Sequence, residues 1–141
     1  MTAAPDMTIK ALAPWFGGKR NLAARIVAEL GPHRAYWEPF CGSLAVLMAK
    51  PPATNETVND LHADLVNLAR VIRDRDLGPK LYRRLRRYWM DETAFAEAAE
   101  AVRAVEAETL RQNPLDRAEA YFIYSWLGRN GTAGTPTTRT G

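Results

Sequence analysis

Cysteine is nearly absent from the chain: Cys41 is the single one in 141 residues. One thiol excludes an intrachain disulfide and cannot by itself build a metal site, which is typical of a reducing compartment. The two histidines, His33 and His62, have no partners at metal-ligand spacing. We therefore expect that the chain binds no metal, that the histidines have surface or capping roles, and that the thiol is buried and non-catalytic.

Long apolar runs are missing as well. No stretch approaches the roughly 20 apolar residues that a membrane-spanning helix needs. Residues 1–10 lack the basic-then-apolar order of a secretion signal. These absences predict a flexible tail at residues 1–10, no membrane partner and a cytoplasmic location.

Positive charge is unevenly distributed, although the net charge is only +3. Arginines, lysine and aromatic rings are interleaved within residues 70–89, whereas residues 91–111 are rich in acids. A basic stretch with aromatic rings can bind nucleic-acid phosphates. It can equally be a solvated helix face, because arginine stems cover apolar surface. The composition leaves both interpretations open.

Apolar spacing predicts a strand, helix, strand unit followed by helices. A helix over 22–30 precedes an aromatic strand at 35–40, a short apolar helix at 43–50 and a second strand at 56–60. The connection between the strands is long enough for a crossover, so we expect them to be parallel. Further helices are expected over residues 61–72, 81–88, 91–105 (with Asp91 as N-cap) and 115–127, and a loop or disordered end after that.

The carboxyl ends of such strands are where nucleotides bind. An acid ending the second strand accepts hydrogen bonds from the ribose hydroxyls, about twenty residues after a glycine turn. Asp60 lies at about that distance from Gly42. Alternatively, Asp60 caps the helix that begins at Leu61, a role common for aspartate. These residues by themselves favour neither role.

Two glycines and a lysine, Gly17 to Lys19, stand just before the first helix. A phosphate-binding loop of the P-loop type needs a further glycine upstream and a hydroxyl residue after the lysine, but the chain has Ala13 and Arg20 there. The dinucleotide fingerprint is missing too. A kinase or a dehydrogenase is therefore disfavoured, and the glycines serve another purpose.

Four segments in order make the pattern specific: PWFGGKRNLAARI, YWEPFCGSLAVLMAKPP, VNDLHADLVNLARVIRD and YFIYSWLGRNGTAGT. Over about residues 11–135 they resemble the N-terminal half of the D12 class of DNA adenine-N6 methyltransferases, which includes the Dam-like enzymes. The resemblance implies an α/β, Rossmann-like S-adenosylmethionine-dependent fold with an incomplete sheet, followed by a helical recognition region. The implied boundaries are a tail at 1–10, part of the cofactor domain at 11–76 and a truncated recognition region at 77–141.

The resemblance also implies a set of cofactor-binding residues. These are Trp15, Gly17, Gly18, Lys19, Glu38, Phe40, Gly42 and Asp60. The glycines would let the backbone approach S-adenosylmethionine, Lys19 would point toward its carboxylate, Glu38 would lie beside its amino acid end and Asp60 would bind its ribose. Leu44 departs from the pattern, because many members have a glycine there.

The region after the second strand is implied to lie on double-stranded DNA. The candidate DNA-contacting residues are Arg83, Arg84, Arg86, Arg87, Arg129 and Asn130. We expect phosphate contacts rather than base reading, because an arginine cluster binds any duplex. The complete enzyme is expected to be monomeric.

The catalytic Asp-Pro-Pro-Tyr motif of the D12 class has no match in the chain. The only Pro-Pro pair follows Lys50 and precedes Ala53, so we interpret it as a helix stop. We therefore expect a catalytically incomplete fragment of a site-specific adenine methyltransferase, marginally stable, with weak cofactor contacts and no catalytic residue of its own. The alternative is a non-enzymatic helical nucleic-acid-binding module, which explains the basic stretch but not the cofactor residues.

Overall fold

The structure, a computed structural model, describes residues 9–87, 92–106 and 113–127. After a short 3₁₀ turn the elements are α1 (Ala23–Leu30), β1 (Ala35–Glu38), α2 (Ala45–Ala49), β2 (Asn55–Val58), α3 (Ala63–Arg73), α4 (Leu77–Leu85), α5 (Glu92–Glu106) and α6 (Pro114–Leu127). The predicted order of elements is confirmed. The predicted N-cap Asp91 and the C-terminal segment 128–141 lie outside the described residues.

The two strands pair in parallel, as predicted. Ala35 lies opposite Asn55, and Glu38 lies opposite Val58. Hydrogen bonding continues past the strands, because the Asn59 N–H donates to the Glu38 carbonyl at 2.9 Å. The residues that follow β1 and β2 therefore remain side by side.

The sheet is small and open. Within the described ranges it contains two strands only, and Trp37 of β1 is 76% exposed. Parallel sheets normally have both faces covered by other elements. The α/β class is confirmed at the level of this parallel pair, whereas a Rossmann-like topology requires more strands than the described ranges contain.

Two apolar clusters form the core of the described residues. The smaller one joins α1, β1 and α2 through Ala23, Tyr36, Ala45 and Val46, and the main core joins the N-terminal segment, the turn after β1 and the helices α3, α4 and α6. Its buried members are Leu12, Ala13, Cys41, Leu44, Leu65, Leu68, Val71, Leu81, Leu115, Ala118 and Tyr121. This cluster contains residues from both sides of the predicted boundary at 76/77, so the two regions pack together there. None of the helices in the described parts of the chain is long and apolar enough to cross a membrane.

Ion pairs hold α6 against α3 and α4. The Arg117 Nε lies 2.5 Å from an oxygen of Asp64 on α3. On α4, the Arg84 Nη1 lies 2.5 Å from Asp116 and 2.9 Å from Glu119. The hydrogen bonds that the Arg84 guanidinium donates to Asp116 and then to Glu119 raise its pKa further above its usual value. The helical layer is thus joined by charge as well as by apolar packing.

Side-chain caps determine where α4 and α6 begin. The Asp74 carboxylate accepts the backbone N–H groups of Asp76 and Leu77, both at 2.9 Å, so α4 starts earlier than the predicted residue 81. Its first turn contains a glycine and a proline in place of regularly spaced apolar residues, so the sequence pattern did not predict this turn. Asn113 caps the first turn of α6, and Pro114 occupies the first helical position, where no N–H is needed.

We predict an unusual order of stability for substitutions at Leu44. Its φ of +61° is in the left-handed region, which costs an ordinary residue about 1–2 kcal/mol but costs glycine almost nothing. Leu44→Gly should therefore be about 1 kcal/mol more stable than Leu44→Ala in urea unfolding. At helical Leu47 the order should reverse, with the glycine variant about 1 kcal/mol less stable. Equal stability of the two Leu44 variants would contradict the assigned conformation.

Gly78 should not tolerate a methyl group. A Cβ at this position would lie 2.7 Å from the backbone oxygen of Ile72, so the contact between the α3 and α4 backbones would have to open. Glycine to alanine within a helix normally stabilises, but Gly78→Ala should lower the free energy of unfolding by about 1 kcal/mol or more. Arg83→Ala on the exposed face of α4 is the control, expected within about 0.5 kcal/mol of wild type. A Gly78→Ala protein as stable as wild type would disprove the close approach.

Candidate functional site

Lys19 connects the glycine turn with the carboxyl end of β1. Its Nζ donates to the Phe40 carbonyl at 2.5 Å and lies 3.2 Å from Oε1 of Glu38. Glu38 is only 7% exposed, so the ammonium provides a buried carboxylate with a counter-charge. These contacts are made within the protein, and the predicted role of Lys19 toward a cofactor carboxylate stays a prediction from the resemblance.

The second oxygen of Glu38 is held by Tyr36. The Tyr36 hydroxyl donates to Glu38 Oε2 at 2.6 Å. Burial, and then the hydrogen bond to Glu38, raise the pKa of Tyr36 well above its usual value, so the phenol remains a donor. Sequence reasoning missed Tyr36, although the strand period of two places residues 36 and 38 on the same face.

Lys50 lies behind Tyr36. The Lys50 side chain is fully buried, and its Nζ lies 2.5 Å from Oε1 of Glu56 on β2 and 4.6 Å from the centre of the Tyr36 ring. The hydrogen bond from Lys50 lowers the pKa of Glu56. Sequence analysis treated Lys50 only as the neighbour of a helix stop, and no local pattern identifies a buried lysine.

Asp60 joins the ends of the two strands. One of its oxygens accepts the Gly42 N–H at 2.8 Å, and the other accepts the His62 N–H at 3.0 Å. The cap of α3 is His62, whose Nδ1 accepts the Leu65 N–H, so the capping role predicted for a histidine is confirmed. Asp60 instead fixes the turn at Gly42, where a Cβ would lie 3.2 Å from Nε1 of Trp15.

This donor and acceptor set fits a nucleoside that carries an amino acid. A carboxylate offers about four acceptor positions, and the hydrogen bonds of Asp60 within the described structure use two of them. The remaining positions suit ribose hydroxyls. The acid at Glu38 suits a positively charged amine, and the missing side chain at Gly42 makes room for the Trp15 indole against the turn.

The other predicted cofactor residues lie at the rim. Phe40 is 71% exposed, and Gly17 is exposed as well. The Gly18 N–H donates to the Trp15 carbonyl at 3.1 Å, which closes the glycine turn. The backbone carbonyl of Phe40 accepts a hydrogen bond from Lys19, which also lies beside Glu38.

The buried position expected for Cys41 is confirmed. The residue is 6% exposed, and burial, followed by the negative charges of Asp60 and Glu38, raises the pKa of its thiol to about 11. A thiol in this state stays protonated and is a poor nucleophile. In the described part of the chain, no group of histidine, cysteine or acidic residues could hold a metal ion.

Two cavities flank the predicted set. One, of about 740 Å³, lies between α2, β2 and α3 and reaches Cys41 and Gly42. The other, of about 990 Å³, lies between residues 9–14, the glycine turn and the Trp126 end of α6. Neither is lined by Lys19, Glu38 or Asp60, whereas Gly42 lines the first cavity and Trp15, Gly17 and Gly18 line the second.

The basic candidates on α4 divide into two groups. Arg83, Arg86 and Arg87 are exposed around its C-terminal end, with Arg86 lying 5.7 Å from the centre of the Tyr82 ring. Arg84 differs, because two carboxylates of α6 accept its hydrogen bonds. The structure therefore gives Arg84 a contact within the protein rather than a free cation for DNA.

The predicted loop contacts Arg129 and Asn130 lie outside the described residues. Their role in DNA contact stays a prediction from the resemblance.

Comparison with known proteins gives one family. A search of curated proteins found no match to the chain. A scan against protein-family models matched residues 15–134 to the D12 class N6 adenine-specific DNA methyltransferase. The matched range begins at Trp15 and includes both strands and all of α1 to α6. Because this match extends over most of its length, the chain belongs to the D12 class of N6 adenine-specific DNA methyltransferases.

Proposed function

We propose that the chain carries the S-adenosylmethionine-binding part and a DNA-contacting helix of an enzyme that methylates adenine N6 in DNA. The observation that carries this proposal is the position of Glu38 and Asp60 at the same edge of the parallel sheet. The Gly42 N–H there donates a hydrogen bond to Asp60 at 2.8 Å. Ligands of parallel α/β units bind at that edge. S-adenosylmethionine, when bound, supplies a methyl group activated by the sulfonium.

Each residue of the site has a proposed task in holding the cofactor. Asp60 accepts hydrogen bonds from the ribose hydroxyls at the acceptor positions that Gly42 and His62 do not use. Glu38 accepts a hydrogen bond from the amine of the methionine end. Lys19 provides Glu38 with an opposite charge and holds it close to the glycine turn through their 3.2 Å contact. The indole of Trp15 and the exposed ring of Phe40 form apolar walls around the Gly42 backbone. No cysteine nucleophile is needed, because the adenine amino group attacks the methyl group directly.

The exposed end of α4 is the proposed DNA contact. Arg83, Arg86 and Arg87 carry three positive charges there, and phosphate contacts of this kind dominate the affinity for duplex DNA. The ion pairs of Arg84 with α6 hold α4 in place beneath them. The family fixes the base and the position that are methylated, whereas the recognised DNA sequence depends on base contacts.

Binding without turnover is the proposed behaviour of this chain. The Asp-Pro-Pro-Tyr motif that holds the target adenine in the D12 class is absent from the 141 residues. The groups that bind cofactor and phosphate are present, so the two properties should separate in experiment. A non-enzymatic nucleic-acid-binding module, favoured by the same exposed arginines, would bind DNA and not the cofactor.

Asp60→Asn should weaken cofactor binding. The substitution removes the charge that strengthens hydrogen bonds from ribose hydroxyls. We therefore expect the affinity for S-adenosylhomocysteine, measured by calorimetry, to fall about tenfold. Asp76→Asn, at the exposed residue just before α4, removes the same charge and should bind as wild type does. Circular dichroism verifies that both variants keep their helices. Wild-type protein that binds duplex DNA but no S-adenosylhomocysteine would establish the binding-module alternative instead.

Arg86→Gln combined with Arg87→Gln should weaken duplex binding and flatten its salt dependence. Each lost phosphate contact lowers the slope of log affinity against log salt by about 0.9, so the double variant should lose up to about 2 in slope. Arg25→Gln with Arg34→Gln removes two exposed charges elsewhere and should leave the slope unchanged. Fluorescence anisotropy with a labelled duplex measures both, and equal slopes for the two double variants would show that the α4 arginines are ordinary solvated surface.

A further inference from the structure

Tyr36 makes a contact that the cofactor roles above leave unused. Its hydroxyl donates to Oε2 of Glu38 at 2.6 Å, and both residues are only 7% exposed. A buried carboxylate needs hydrogen-bond partners for both oxygens to remain ionised at acceptable cost. Tyr36 supplies the partner on the protein side of Glu38.

The two oxygens of Glu38 face different surroundings. Oε2 is held by Tyr36 on the buried face of β1, whereas Oε1 lies 3.2 Å from Lys19, whose side chain is 37% exposed. Rotation of the carboxylate would break the Tyr36 hydrogen bond. The oxygen that points toward the glycine turn is therefore the one beside Lys19.

The ring of Tyr36 is itself fixed in place. Lys50 Nζ lies 4.6 Å from the centre of the ring, and Glu56 holds that ammonium at 2.5 Å. The ring of His33 lies 5.8 Å from the ring of Tyr36. A phenol packed between a buried ammonium and an imidazole has little freedom to move its hydroxyl away from Glu38.

We propose that Tyr36 is a positioning residue, whose hydroxyl orients Glu38 so that the oxygen beside Lys19 receives the amine of the bound S-adenosyl compound. This role rests on the proposed function, because it requires Glu38 to contact the amino acid end of the cofactor. Tyr36 acts through Glu38 and touches no ligand itself.

Two ligands separate positioning from general support of the fold. S-adenosylhomocysteine carries the amino acid end, whereas 5′-methylthioadenosine has the same adenosine and thioether without it. Tyr36→Phe should weaken S-adenosylhomocysteine about fivefold to tenfold, the loss expected for one hydrogen bond to a charged group, and should leave 5′-methylthioadenosine unchanged. Phenylalanine keeps the ring against Lys50, so the fold should persist. The control is Tyr82→Phe, at an exposed tyrosine of α4.

The outcomes are distinct. Equal weakening of both ligands would mean that Tyr36 only supports the fold, and unchanged affinity for S-adenosylhomocysteine would mean that Glu38 needs no alignment. Either result overturns the positioning role. Wild-type protein that binds neither ligand overturns the proposed cofactor site instead. In that event a double-mutant cycle of Tyr36→Phe and Glu38→Gln in urea unfolding still tests the contact, since additive effects would show that the hydroxyl does not hold the carboxylate.

Discussion

The parallel pairing of β1 with β2 is the constraint on which the site depends. Glu38 ends β1 and Asp60 follows β2, and only the parallel register brings the ends of both strands to one edge. Backbone hydrogen bonds continue that register beyond the strands, through Asn59 to Cys41 and Glu38, both at 2.9 Å. The turn at Gly42 is thereby held where its N–H reaches Asp60. An antiparallel arrangement of the same two strands would place the acids at opposite ends.

Buried charge is the second organising feature, and its arrangement favours orientation over stability. A buried ion pair gives little net stability compared with apolar packing, because both ions lose water. The chain nevertheless buries the side chains of Lys50 and Glu38, each beside a partly exposed partner of opposite charge, Glu56 and Lys19 respectively. The four charged residues come from different segments, because Lys19 precedes α1, Glu38 lies on β1, Lys50 follows α2 and Glu56 lies on β2. The polar contacts restrict the direction in which the Glu38 carboxylate can point, which apolar side chains in their place could not do.

Ring contacts connect the cofactor turn with the helical layer. Trp15 meets the ring of His62 edge-on at 5.2 Å, and His62 lies 5.2 Å from the ring of Tyr121 on α6. His62 also caps α3, so one residue serves the turn, the start of a helix and the packing of α6. The proposed cofactor and DNA regions consequently share their packing instead of meeting at a flexible linker.

Local patterns were sufficient for the parts of the protein that depend on neighbouring residues. The order of the elements, the parallel unit and the spacing of Gly42 and Asp60 follow from periodicity and turn residues, which act over a few positions along the chain. The partner of Lys19, the ion pairs of Arg84 and the burial of Lys50 depended on contacts between distant elements, and only the tertiary structure decided them. The physical reason is that a charged side chain reaches whichever opposite charge the packing brings within about 4 Å, and sequence order does not specify that distance.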